Sequence, residues 1–435
     1  MDIVDVGLFL LMFLALFLGS GVWIAVSLLA VGWIAVETYT TVPVLKSLGS
    51  SIWGSSASWT LAALPLFIWM GEILFRTKLS ANMFRGLAPL VGWLPGRLLH
   101  VNVLGCGVFA AVSGSSAATV ATIGKMTLPE LAERKYDQRL AIGSLAGSGT
   151  LGLLIPPSII MIVYAVAAEQ SLIRLFIAGV LPGLMLILMF SGYLAVIAML
   201  RPSVAPDHGG EKLPLVAKLR ATMELIPVLL LIGGVIGTIY VGIATATEAA
   251  AMGVLGALIL AAATGTLTRQ SFADSLMGAT RLSCMIAFIL AGAAFLTTGM
   301  AYTGVPQALA AWVGDMGLDR YVLIAALCVL YVVLGCFIDG ISMIVLTTSV
   351  VLPLVTAAGF DLIWFGIFII VVVEMAQITP PLGFNLFVLQ SMTGHSIFAV
   401  ARAALPFFFL MLLAVVLLTI FPGIATWLPS TMQNR

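Results

Sequence analysis

Four prolines repeat in this chain, and they limit its fold more than any other feature. Pro129, Pro156, Pro157 and Pro182 recur 224 residues later as Pro353, Pro380, Pro381 and Pro406. Asp137 and Asp361 keep the same register. What repeats is a set of helix breakers, which marks an internal repeat. Two adjacent prolines remove two amide donors and clash with preceding carbonyls, so a helix must open at each pair. Paired breaks at corresponding positions of two apolar halves point to the binding site of a transporter.

The surrounding segments are those of a membrane protein. The chain is 62% hydrophobic and 9% charged, against about 25% charged residues in soluble domains. Apolar runs long enough to cross a bilayer recur from end to end. A net charge of +1 with no basic cluster gives no sign of nucleic-acid binding. The start, Met1-Asp2-Ile3-Val4-Asp5, lacks the positive region of a cleaved signal peptide, so residues 6–36 read as uncleaved membrane segments. The expected fold is an all-α polytopic membrane protein built from two inverted repeats of about five crossings each.

The polar stretch 201–224 reads as a cytoplasmic linker between a first repeat, 1–200, and a second, 225–435. Expected crossings are 6–20, 21–37, 58–75, 139–168 and 175–200, then 225–241, 246–266, 283–300, 362–393 and 397–428. Two further apolar stretches, 93–132 and 318–356, are interrupted by Ser113-Gly114-Ser115-Ser116 and Asp339-Gly340-Ile341-Ser342. Each reads as a re-entrant helical hairpin; the alternative is one full crossing. Arg76, Lys78, Arg85 and Arg97 precede the first hairpin and Lys125, Arg134, Lys135 and Arg139 follow its tip, which sets it on the cytoplasmic side. The second is flanked by Asp315, Asp319, Arg320 and Asp361 and faces the other way. Both termini then lie outside.

The chemistry belongs to the tips and the breaks. Carbonyls freed inside a bilayer cost several kcal/mol each unless something satisfies them. A dehydrated Na⁺ accepts such oxygens, and half-helix N-termini suit an anionic substrate. The expected first Na⁺ site combines Ser113, Gly114, Ser115 and Ser116 with Gly149, Thr150 and Pro156. The second combines Asp339, Gly340 and Ser342 with Gln377, Thr379 and Pro380. Substrate would lie between the tips, against Ser116, Thr119, Ser158 and Asn385. The alternative is kinks satisfied by neighbouring helices.

Acids at membrane depth are weighed separately. Asp339 either takes part in cation binding, with proton coupling as a variant, or hydrogen-bonds the tip backbone. Glu374, a turn before the second break, either holds the opening or touches solute. Glu72 and Glu248 read as structural, and His100 and His395 as helix-end residues. Cys106, Cys284, Cys328 and Cys336 have unrelated spacings and read as packing residues, with neither a disulfide framework nor a metal site. No Walker loop, zinc motif or nucleophile elbow is present, so the chain reads as neither an ATPase nor an enzyme.

Several segments resemble the large membrane (permease) subunit of TRAP (tripartite ATP-independent periplasmic) transporters. They are Ser113-Gly-Ser-Ser-Ala-Ala-Thr-Val-Ala-Thr-Ile-Gly124, Leu154-Ile-Pro-Pro-Ser158, Ile177-Ala-Gly-Val-Leu-Pro-Gly183, Tyr302-Thr-Gly-Val-Pro-Gln307 and Ile378-Thr-Pro-Pro-Leu-Gly-Phe-Asn-Leu-Phe387. One departure is Thr245-Ala246-Thr247-Glu248, where the family often has Thr-Pro-Thr-Glu. The resemblance implies a Na⁺-coupled, elevator-type importer in a bacterial inner membrane. It implies a moving transport domain, roughly 58–170 plus 283–396, on a scaffold of 1–57, 171–282 and 397–435. It also implies a small membrane subunit, a periplasmic binding protein and a carboxylate substrate such as a C4-dicarboxylate or sialic acid. The rivals are a stand-alone dicarboxylate or citrate symporter and a passive anion channel.

Overall fold

A computed structural model of the chain describes residues 3–77, 86–206, 222–223, 225–381 and 383–432. Most of the expected linker lies outside them, as do Lys78, Arg85, Lys212, Lys218, Arg220 and Arg435. Regular structure among the described residues is helical throughout. The first half contains α1 (Ile3–Gly19), α2 (Ile24–Tyr39), α3 (Val44–Ser56), α4 (Trp59–Phe75), α5 (Leu99–Ser113), α6 (Ser116–Glu133), α7 (Gln138–Leu154), α8 (Ile159–Ala167) and α9 (Leu172–Leu200). The second contains α10 (Ile226–Val241), α11 (Ala246–Ala263), α12 (Arg269–Thr303), α13 (Val305–Asp315), α14 (Arg320–Gly335), α15 (Gly340–Ala357), α16 (Leu362–Gln377), α17 (Phe384–Thr393), α18 (Ile397–Ile420) and α19 (Gly423–Met432).

The proline register extends to whole elements. Shifted by 224 residues, α6 coincides with α15 at both ends, and α7 begins where α16 begins. The caps keep step: Ser115 and Asp339 cap α6 and α15, while Asp137 and Asp361 cap α7 and α16. Each capping oxygen accepts a backbone amide that the first turn would leave orphaned.

Several expected segments are corrected in detail. The span at 58–75 is preceded by α3, bent 57° from α4, which was not anticipated. The crossing at 283–300 belongs to α12, a helix of 35 residues, about 52 Å at 1.5 Å per residue and longer than a bilayer is thick. A Thr268–Ser271 capping box starts it at Arg269, fourteen residues before the expected crossing. The segment 397–428 divides at Phe421–Pro422 into α18 and α19. The segment 139–168 is α7 and α8, bent by 43°, and 362–393 is α16 and α17.

Packing is densest around α7 and α16. Every residue from Leu140 to Leu151 and from Ile363 to Ala376 is buried, as expected of helices apolar on all sides. They fill space in opposite ways. α7 is lined with small residues: a Cβ at Gly143 would lie 2.2 Å from the Ala403 carbonyl oxygen, and one at Gly147 would lie 2.5 Å from Phe407. Small residues bring helix backbones together where lipid offers no hydrophobic drive. α16 carries large rings, with Phe360, Trp364 and Phe368 stacked at 4.9 and 5.5 Å. Trp364 Nε1 donates to the Leu418 carbonyl at 2.9 Å. Leu188, Leu230, Leu255 and Ile259 on the outer helices are more than half exposed, the surface a lipid environment covers.

Candidate functional site

The first hairpin tip is turned by Gly114, whose φ of 58° favours a residue without a Cβ. The tip satisfies itself. Ser113 Oγ lies 2.8 Å from Thr119 Oγ1 and also donates to the Ser115 carbonyl at 3.2 Å. Thr119 Oγ1 lies 2.8 Å from that same carbonyl, and Ser115 Oγ accepts the Ala118 amide.

The tip sits on the first break. A Cβ at Gly114 would lie 3.1 Å from the Pro157 carbonyl oxygen, and one at Gly152 would lie 2.6 Å from the Ser115 carbonyl oxygen. Gly149 faces Val120 on α6. Pro156–Pro157 and Pro380–Pro381 are both cis. Ser158, fully buried, donates its hydroxyl to the Leu153 carbonyl, one of those the prolines set free. Thr150 is not brought to this site. Its hydroxyl donates to the Gly147 carbonyl at 2.7 Å and faces Met411 Sδ on α18. Thr119 and Ser158, expected against substrate, are likewise engaged by backbone.

At the second tip Asp339 caps α15. Its carboxylate accepts the Ile341 and Ser342 amides, each at 3.1 Å, and Ser342 Oγ at 2.5 Å. Gly340 packs between Val373 and Ile160, with Gln377 Nε2 3.6 Å from where its Cβ would be. Thr379 Oγ1 donates to the Met375 carbonyl at 2.7 Å. Beyond Pro380, a Cβ at Gly383 would lie 2.7 Å from the Thr379 carbonyl oxygen and 2.8 Å from that of Gln377. Two backbone carbonyls therefore crowd a position that only glycine fits, with the Thr379 amide nitrogen 3.0 Å away and the Thr379 carbonyl accepting the Gly383 amide at 3.0 Å.

The two halves meet between the sites. Ser116 Oγ donates to Asn385 Oδ1 at 3.1 Å, joining the start of α6 to that of α17. Asn385 is fully buried and its Nδ2 has no partner. An unpaired buried amide donor beside a helix N-terminus suits a carboxylate oxygen. Glu374 is also fully buried, with neither carboxyl oxygen partnered; the Leu154 peptide lies close by, outside hydrogen-bond geometry.

Some residues escaped the sequence reading. Gly383 is one. Asn102 is another: its Nδ2 donates to Ser144 Oγ at 2.8 Å and to the Ala141 carbonyl at 3.2 Å, tying α5 to α7. An Asn inside an apolar run was its available signal. Three further polar side chains have local partners. Glu72 pairs with Arg76 at 2.9 Å, Glu248 completes a capping box with Thr245, and His100 Nε2 meets the Pro95 carbonyl at 2.6 Å. The four cysteines are free, and no group of three His, Cys, Asp or Glu side chains gathers among the described residues.

Residues 9–424 match the family described as "Tripartite ATP-independent periplasmic transporter, DctM component". The chain is 33% identical to the C4-dicarboxylate TRAP transporter large permease protein DctM of Pseudomonas aeruginosa, over 89% of this chain and 90% of that protein. It is 32% identical to the ectoine TRAP transporter large permease protein TeaC of Halomonas elongata, over 85% and 86%. Among solved structures it shares a fold with the Alcanivorax borkumensis YdaH transporter, at a TM-score of 0.59 and 14% identity, covering 87% of this chain and 88% of that one. Profile, relatives and apolar helices agree on a multi-pass inner-membrane transport protein rather than an enzyme. The chain belongs to the DctM component family, the large permease subunits of the tripartite ATP-independent periplasmic transporters.

Proposed function

We propose that this permease imports an organic carboxylate, a C4-dicarboxylate or a related acid such as sialic acid, by secondary active transport driven by Na⁺. The observation that carries the reading is the pair of hairpin tips, the first packed on the Pro156–Pro157 break and the second on Ile160 and the end of α16 before Pro380–Pro381, with the Ser116–Asn385 contact between the halves. The carbonyls of Gln377 and Thr379 would hold one Na⁺, and the Ser115 and Pro157 carbonyls would contribute to the other. The cation supplies the inward driving force. The unpaired Asn385 amide and the α17 N-terminus would take the carboxylate.

The two repeats are read as inverted, with the transport domain, about 58–170 plus 283–396, moving as an elevator on the remaining scaffold. Large permeases of this family work with a small membrane subunit and a periplasmic binding protein. Here the small subunit would enlarge the scaffold and the binding protein would deliver the substrate. Identity to relatives does not choose the substrate, since those named for a C4-dicarboxylate and for ectoine stand at 33% and 32%.

The test is uptake of labelled C4-dicarboxylate into proteoliposomes holding this chain with its neighbouring small subunit, under an inward Na⁺ gradient. Accumulation requiring both Na⁺ and the binding protein is the expected result. Accumulation without the binding protein would assign a stand-alone symporter instead, and flux without accumulation would assign a channel. Ser116→Ala and Asn385→Ala should each weaken Na⁺-dependent uptake; if both transport normally with unchanged Na⁺ dependence, the site is elsewhere.

A further inference from the structure

Two cavities away from the hairpin tips obey the same 224-residue offset as the prolines. One, of about 660 Å³, lies among α6, the start of α7 and the end of α17. The other, of about 640 Å³, lies among α3, the start of α4, the end of α8, α12 and α15. Gly124, Ser391, Thr393 and His395 line the first. Their offset partners Thr348, Ala167, Glu169 and Ser171 line the second. The first cavity touches the beginning of the α7–α8 span and the second its end. They therefore open toward opposite faces of the membrane, the first on the side of Arg134, Lys135 and Arg139, which the charge rule makes cytoplasmic.

The repeat has kept the cavities and changed their charge. The second is walled by hydroxyls, among them Ser50, Ser51, Ser55 and Thr298, and Glu169 is its charged lining residue. The first is lined by Lys125 and His395 and by no acid. Neither the Lys125 ammonium nor the His395 ring has a hydrogen bond or ion pair among the described residues. Glu130, one turn from Lys125, is taken up by Arg134 at 3.2 Å. Asp137, beside the cavity, is taken up by the Leu140 amide at 2.7 Å. The cavity also lies on the seam between α6 and α17, which the Ser116–Asn385 hydrogen bond clamps at its other end. Lys125 is nine residues along α6 from Ser116, about 13 Å.

We infer that this cavity is a second anion site on the cytoplasmic side, where the carboxylate released at the Ser116–Asn385 contact is held between Lys125 and His395 before it leaves. The substrate class rests on the import reading above; the anion preference rests on the cavity alone. With Glu169 in the hydroxyl-lined cavity and Lys125 in the cytoplasmic one, a negatively charged solute would be held preferentially at the cytoplasmic end.

The experiment uses the full permease with its small subunit in right-side-out vesicles. Lys125→Gln should raise the internal carboxylate concentration for half-maximal exit about three- to fivefold, the effect of losing one exposed charge contact. External half-saturation and Na⁺ dependence should stay unchanged, and Lys125→Arg should restore exit. A second arm needs no substrate. With Cys106, Cys284, Cys328 and Cys336 replaced, Ser391→Cys is labelled by membrane-impermeant thiol reagents. In inside-out vesicles, which present the cytoplasmic face, an anionic reagent should react faster than a cationic one, and Lys125→Gln should abolish the difference. Equal rates, or labelling from the periplasmic face alone, would overturn the inference, as would unchanged exit kinetics in Lys125→Gln. An anion preference at Ser391→Cys in a permease that moves no carboxylate would uphold the site and sink the import reading.

Discussion

At the residue scale, the most informative side chains touch backbone rather than each other. Of the two readings for Asp339, cation binding and capping of the tip, the geometry favours the cap: its carboxylate is filled by two amides and a hydroxyl of its own tip. Asp339→Asn keeps an acceptor in place and should leave the Na⁺ dependence of uptake close to native. Asp339→Ala removes the cap and should destabilise the tip by about 1 kcal/mol, read as a lower unfolding temperature in detergent. Loss of Na⁺ coupling in Asp339→Asn would return the charge to the ion. Gly383→Ala is the sharper case. Its Cβ would push apart the Gln377 and Thr379 carbonyls, and the Na⁺ concentration for half-maximal uptake should rise roughly tenfold, about 1.4 kcal/mol. An unchanged Na⁺ titration would mean that these carbonyls hold no ion.

At the element scale, each break is a repaired opening. Ser158→Ala would leave the Leu153 carbonyl unsatisfied inside the bilayer, at a cost of about 1–3 kcal/mol. Ser158→Thr keeps the hydroxyl at an extended residue and should melt near the native temperature. α16 depends on volume instead: Trp364→Ala should cost about 3–5 kcal/mol, with the Leu418 carbonyl losing its donor. The positions of both breaks, both tips and the offset were legible because proline, glycine and capping residues act locally on the backbone. α3 was not, since Ser47, Gly49, Ser50, Ser51, Gly54 and Ser55 are poor helix formers and only Val44 and Ser47 of the helix are buried. Nor could spacing show that Thr150 faces α18 while Gly149 and Gly152 face α6, because in a helix buried on every side no polar face marks the direction.

At the scale of the whole molecule, the halves are interlocked. The contact between Ser116 and Asn385 spans the two halves, and on the proposed reading substrate parts it to enter or leave. Ser116→Cys with Asn385→Cys, bridged by a short bifunctional thiol reagent in a cysteine-free background, should stop uptake, and a cleavable bridge should restore it on reduction. Continued transport with the bridge intact would mean that this seam stays shut during the cycle. The glycine face of α7 has a different consequence. Gly143 and Gly147 are covered by Ala403 and Phe407, which are made some 260 residues later. At the usual pace of synthesis, roughly 5–20 residues per second, that face waits on the order of 13–50 s for its partner. Throughout that interval the newborn first half lies in the membrane with a close-packing glycine face bare, open to lipid, to insertion machinery or to another unfinished copy.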